Sequence, residues 1–180
     1  PGGPHARGRP LQTPKGTLTT SEGTNSMTTW VSEPLIKKEK DIHLIRKYRP
    51  IPKLKREKIV QTHDLLGDNG IIRTFLLGKQ GGCWQDACCL VGTEKMIMAT
   101  FDDPQWVNRL LKMLQQRKIA FMKTTKGAKY DIWELGGGDA STSVISPSMF
   151  NEYVAPYDSE IIATAHQAGQ RVVYHTCGGM

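Results

Sequence analysis

The sequence predicts an α/β fold with parallel strand pairing, either a doubly wound sheet or a β/α barrel. Three short runs, "IIRTFLLG", "YDIWELGGG" and "RVVYH", are of the near-continuous apolar kind that a parallel sheet buries on both faces. They alternate with stretches of helical periodicity, and strand–helix–strand–helix–strand order implies right-handed crossovers. Polar residues and glycines gather just after the second and third runs (Asp139, His175 and Cys177, with Gly136, Gly137, Gly138, Gly178 and Gly179). In both candidate architectures chemistry collects at that end of the strands.

In chain order, residues 1–14 are rich in Pro, Gly and Arg and are expected to be loose, with one domain over residues 15–180. "GTLTTSEGTNSMTTWVSE" holds two Thr-rich, β-prone runs around a Ser/Gly/Asn turn and predicts a hairpin from Gly16 to Ser32. Residues 34–58 predict a short helix around "KKEKDIHLIRKY", closed by Pro50 and Pro52. The first buried-type strand is Ile71–Gly78, followed by helix through "CWQDACCLVG" and "TEKMIMATF". The clearest helix follows, with Asp103 at its N-cap and Pro104 in its first position. Val107, Leu110, Leu111, Leu114 and Phe121 form its apolar stripe, and Gly127 ends it. The second strand is Tyr130–Gly138. Ser146-Pro147 starts one short helix, Pro156 starts another that stops at Gly169, and "RVVYH" is the third strand.

The bulk properties narrow the function classes. With 180 residues, 38% of them hydrophobic, the chain is long enough for one domain with a real core. No run is apolar enough to span a bilayer, and "PGGPHARGRPLQTPKG" has no signal-peptide core, which predicts a cytoplasmic protein. A start without methionine and an end on "HTCGGM" predict a piece of a longer chain. The four cysteines are read as thiols. The net charge of +7 sits entirely in Lys37–Lys58, which holds ten Lys/Arg against three Asp/Glu. Such a cluster is either a solvated face or a site for an anionic partner. Its single aromatic residue, Tyr48, argues against single-stranded nucleic acid.

Two constellations carry chemistry. In extended backbone, residues i and i+2 point to one side, so His175 and Cys177 can aim a nitrogen and a sulfur at one point. Zinc accepts both ligand types, and a catalytic zinc takes three protein ligands and keeps one position open. The competing reading is a pair of structural residues at a strand end. Cys83, Cys88 and Cys89 lie in a helical stretch without fitted spacing, so the third ligand is expected beyond residue 180. Asp139, in "GGGDAS", either contacts substrate and poises a proton or caps the following turn. "GGCWQDACC" lacks phosphate-loop spacing and reads as a helix start, and Trp84, Trp106 and Trp133 read as core.

The segment "WELGGGDASTSVISPSMFNEYVAPYDSEIIATAHQAGQRVVYHTCGG" resembles the uroporphyrinogen decarboxylase superfamily, and most of all its zinc- and corrinoid-dependent methyltransferase branch. "TPKGTLTT", "TTWVSEPLIK" and "GTEKMIMATFDDPQWV" extend the likeness over most of the chain after residue 12. The resemblance implies a (β/α)8 barrel of the TIM type, present here in its N-terminal part and preceded by the hairpin. It implies that His175 and Cys177 bind zinc together with a later cysteine, with Asp139 lining the site. It also implies methyl transfer from a corrinoid carried by a partner protein to a small-molecule acceptor, a thiol among the candidates. Zinc lowers a thiol's pKa, so the nucleophilic thiolate exists at neutral pH. Two alternatives remain. One is uroporphyrinogen decarboxylase itself, which has an Arg-rich N-terminal segment that grips substrate carboxylates; the nearest stretch here, "HARGRP", does not match it. The other is a non-catalytic module that binds through residues 37–58.

Overall fold

The computed structural model describes residues 7–8, 10–77 and 81–178. They divide into two compact units, Pro1–Pro50 with Ala87–Leu110, and Ile51–Asp86 with Leu111–Met180.

In the first unit the Thr-rich segment is β structure, but its pairing differs from a single hairpin over 16–32. β2 (Leu11–Thr13) and β3 (Gly16–Leu18) form one antiparallel ribbon. β4 (Ser21–Thr24) and β5 (Thr29–Glu33) form a second, and β1 (Arg7–Gly8) adds to the free edge of β4. Asn25 sets the β4–β5 turn: its Oδ1 accepts from the backbone N–H groups of Met27 (2.9 Å) and Thr28 (2.8 Å). The segment 1–14 that was expected to be loose therefore carries two short strands, while its residues 1–6 and 9 lie outside the described residues. Strands of two or three residues are too short for alternation to show in sequence. In the β2–β3 register Leu11 faces Leu18, the latter buried.

α1 (Glu39–Tyr48) starts where the buried Asp41 carboxylate accepts from the backbone N–H groups of Lys37 (2.9 Å) and Lys38 (3.1 Å). It buries Ile42 and Ile45 and stops before Pro50. The helical stretch after residue 82 is two helices, α3 (Cys83–Val91) and α4 (Thr93–Asp102), because Gly92 turns the chain at φ +103°. The backbone N–H of Ile36 donates to Leu90 O at 2.8 Å.

The second unit opens with α2 (Arg56–Leu66), a helix the sequence does not announce. Ile59 is its one buried residue, so it lacks the apolar stripe that marks an amphipathic helix. Arg56 anchors it by donating from Nη2 to Thr124 O (2.7 Å) and Lys126 O (2.9 Å). α5 (Pro104–Lys123) begins as expected: Asp103 Oδ1 accepts from the N–H of Trp106 at 2.9 Å. Its expected stripe, Val107 to Phe121, is buried. α6 (Pro147–Tyr153), capped by Ser146, and α7 (Ala155–Gln167) follow, and Gly169 turns the chain out at φ +74°.

β6 (Arg73–Phe75), β7 (Ile132–Gly136) and β8 (Val172–His175) form a parallel sheet in that order. The run Ile71–Gly78 thus yields a three-residue strand, and Gly78 lies outside the described residues. Burial on both faces holds for β7, the central strand. One face of the sheet meets the helices: Trp133 packs edge-on against Phe121 of α5 (ring centroids 5.9 Å) and Tyr174 against Phe150 of α6 (6.3 Å). The alternate residues Phe75, Glu134 and Val173 stand side by side on the other face, where Phe75 is 47% and Val173 36% exposed. Among the described residues no helix is long and apolar enough to cross a membrane.

On the helix side, a buried lysine meets a mostly buried carboxylate. Lys118 of α5, 1% exposed, donates to Asp86 Oδ2 of α3 at 2.6 Å and to the carbonyl of Leu77. Removing one partner of such a pair strands the other charge. Lys118→Met, which keeps the volume, is expected to lower stability by about 3–5 kcal/mol, read as a drop in the urea midpoint with an unchanged slope.

Candidate active site at the strand ends

The site forms where β7 and β8 end. Gly136 lies opposite His175 in the register, and its backbone sits at φ +105° with its Cα hydrogen almost against β8. A Cβ at Gly136 would lie 2.2 Å from His175 O, so no other residue fits. Gly137 N then donates to His175 O at 2.8 Å, which binds the β7 exit to the last residue of β8. A short 3-10 turn, Gly138–Ala140, follows and presents Asp139.

His175 and Cys177 are brought together as their spacing implies. The imidazole Nε2 stands 3.3 Å from Cys177 Sγ, and both side chains are exposed at the strand end. Two ligands at zinc–nitrogen and zinc–sulfur distances around a tetrahedral ion stand roughly 3.6 Å apart. The pair therefore fits a zinc ion in donor chemistry and in spacing. Gly138 is the neighbour of the thiol: a Cβ there would touch Sγ at 3.4 Å. Ser141 and Ser143 close over the next residue, with hydroxyls 2.9 and 2.6 Å from where a Gly178 Cβ would stand.

Asp139 is half-buried, and its fixing group comes from α3. Gln85 Nε2 donates to Asp139 Oδ2 at 2.7 Å, while Asp139 N donates to Gln85 Oε1 at 2.9 Å. Trp84 Nε1 donates to Asp139 O at 3.0 Å. One amide thus grips both the backbone and the carboxylate of a single residue. Gln85 carries no motif in the sequence, and only the docking of α3 on the β7 exit reveals it.

The other cysteines sit elsewhere. Cys83 and Cys88 are buried in α3 and Cys89 is half-buried there; all four cysteines are free thiols. Burial, reinforced by the Asp158 carboxylate, pushes the Cys83 thiol well above its usual range, which keeps it neutral. Its backbone N–H donates to Asp158 Oδ1 at 3.0 Å. Among the described residues no group of three or more His, Cys, Asp and Glu side chains could hold a metal ion. His175 and Cys177 supply two donors of the three that a catalytic zinc takes.

Sequence reasoning missed Glu134. This residue of β7 is 3% exposed, forms an ion pair with Arg73 of β6, and places Oε1 4.0 Å from His175 Nδ1. The available signal was a single acid inside the apolar run "IWELG".

Comparison with known proteins agrees with this arrangement of strands and helices. Among solved structures, a methyltransferase from Methanosarcina mazei superposes with a TM-score of 0.64 at 16% identity, over 87% of this chain and 45% of that one. The chain therefore spans less than half the length of that relative, and the likeness identifies the fold as part of a (β/α)8 barrel rather than a doubly wound sheet. No curated protein sequence matches this one. The profile of the family described as "Uroporphyrinogen decarboxylase (URO-D)" matches residues 20–180, and the chain belongs to that family.

Proposed function

We propose that this chain forms part of a zinc-dependent methyltransferase that draws its methyl group from a corrinoid held by a partner protein. The observation that carries the reading is the 3.3 Å approach of His175 Nε2 to Cys177 Sγ at the C-terminal end of a parallel strand. These two residues would hold the zinc, with the third protein ligand beyond residue 180. Bound there, zinc supplies a lowered pKa to an acceptor thiol or a comparable small nucleophile. His175 and Cys177 fix where the acceptor sits. Asp139, held at two points by Gln85, lines the site and orients the acceptor or takes its proton. The glycines at the exits of β7 and β8 let Gln85, Cys177 and the His175 backbone pack directly against one another, which holds these groups in place.

Decarboxylation of a polycarboxylate would need fixed, unpaired cations around the mouth, because each buried carboxylate requires a partner. Among the described residues of the open sheet face, Arg73 is already paired with Glu134. That favours a pocket of balanced charge, suited to methyl transfer. The basic Lys37–Lys58 segment keeps the binding-module alternative in play, and a salt-dependent association with an anionic partner would be its mark.

Thiol reactivity, zinc content and turnover test the proposal. In the metal-free full-length protein, Cys177 should be the first of these four thiols to react with a disulfide reagent such as DTNB, and Cys83 and Cys88 should react only on unfolding. Zinc should slow the reaction at Cys177. The full-length protein purified without chelator should carry about one zinc per chain, and His175→Ala or Cys177→Ala should each weaken binding strongly. The zinc-loaded enzyme should demethylate a methylated corrinoid, and chelation should abolish the activity. Formation of coproporphyrinogen from uroporphyrinogen at an enzymatic rate, unchanged in Cys177→Ser, would overturn the reading.

A further inference from the structure

We infer that Glu134 is a positioning residue for His175: its carboxylate holds the proton on Nδ1 and so leaves the Nε2 lone pair free for a metal. The inference rests on the zinc reading above but makes its own claim about the metal-free ring. A carboxylate almost wholly buried in the middle of a strand is costly unless its charge is matched. Here Arg73, on the neighbouring strand β6, matches it. The pair fixes the Glu134 side chain on the open face of the sheet, the face that also carries His175.

The register explains how Glu134 reaches the ring. Glu134 lies opposite Val173, and Gly136, two residues on, lies opposite His175. With a glycine at that position, β7 itself puts no side chain between the carboxylate and the imidazole. The two ring nitrogens consequently meet different groups: Nδ1 faces Glu134 Oε1 at 4.0 Å, and Nε2 faces Cys177 Sγ at 3.3 Å. The first distance is longer than a hydrogen bond, and a small rotation of the half-exposed ring closes it. A carboxylate behind one nitrogen selects the tautomer protonated there and raises the donor strength of the other. Asp139 lacks that position, because its carboxylate is turned to Gln85.

The test uses the full-length protein and zinc itself. Competition against a chromophoric chelator should show Glu134→Gln binding zinc about 10- to 100-fold more weakly than the parent. The 15N spectrum of His175 in the metal-free parent, recorded where the ring is neutral, should show the Nδ1-protonated tautomer. In Glu134→Gln the population should move toward the Nε2-protonated form, a change that a purely structural role for Glu134 would not produce. An unchanged affinity in Glu134→Gln overturns the inference, and so does an Nε2-protonated His175 in the parent. The parent spectrum decides the matter if the variant does not fold. If the parent binds no zinc, the zinc reading fails, and the tautomer measurement still reports whether Glu134 holds the ring.

Discussion

The strand-end site depends on how closely three stretches of backbone meet at the exit of β7. On one side of this strand, Leu76 N donates to Glu134 O (3.1 Å) and Gly82 N to Gly136 O (2.9 Å). On the other, Gly137 N donates to His175 O (2.8 Å). A Cβ at Gly82 would stand 2.6 Å from Gly136 O, and one at Gly136 would stand 2.2 Å from His175 O, so the two approaches need glycine at 82 and at 136 respectively. Its consequences run outward in order. Gly82 fixes where α3 begins, the start of α3 puts Gln85 on Asp139, and the bond from Gly137 puts Asp139 and His175 at one end of the sheet.

Behind the sheet a buried polar centre holds the same elements from the opposite side. Asp158, in the first turn of α7, accepts from Cys83 N at the start of α3 (3.0 Å) and from Tyr174 OH on β8 (2.9 Å). Burial raises the Asp158 carboxyl above its usual range, and the hydrogen bonds from Cys83 and Tyr174, with the nearby Lys118 charge, oppose that rise. Burial next to this carboxylate drives the Tyr174 phenol far upward, so it remains a hydrogen-bond donor. One side chain therefore ties α3 and α7 to the residue next to His175. The orientation of the site is set from both faces of β8.

The sequence was legible where a local rule had one solution. Two-residue spacing put His175 and Cys177 on one side, and Asp103-Pro104 announced α5, because both signals are independent of distant partners. It misled where pairing decided the outcome. β3 joins β2 instead of the downstream run, and nothing in "GTLTT" states which neighbour supplies the second strand. α2 stayed hidden because Arg56, a charged residue, anchors it through the carbonyls of Thr124 and Lys126. Glu134 and Gln85 stayed hidden for a related reason. Each acquires meaning from a residue about 40 to 60 positions away, Glu134 from Arg73 and His175 and Gln85 from Asp139.

The charges of the site explain why the fold alone does not decide the chemistry. A barrel mouth that binds a polyanion must offer cations that the protein itself leaves unmatched. Here the cation and the buried acid on the open sheet face, Arg73 and Glu134, are spent on each other. The remaining acid, Asp139, is gripped by a neutral amide that steers the carboxylate without cancelling its charge. Among the described residues at the strand ends, His175 and Cys177 offer an imidazole and a thiol, both ligands that bind a metal in their deprotonated or neutral form. Such a set gains its positive charge from the ion it binds. In the proposed reading, that set suits a metal-centred transfer better than carboxylate recognition. The family fold supplies the position, and among the described residues the pairing of Arg73 with Glu134 balances the charge of the open sheet face.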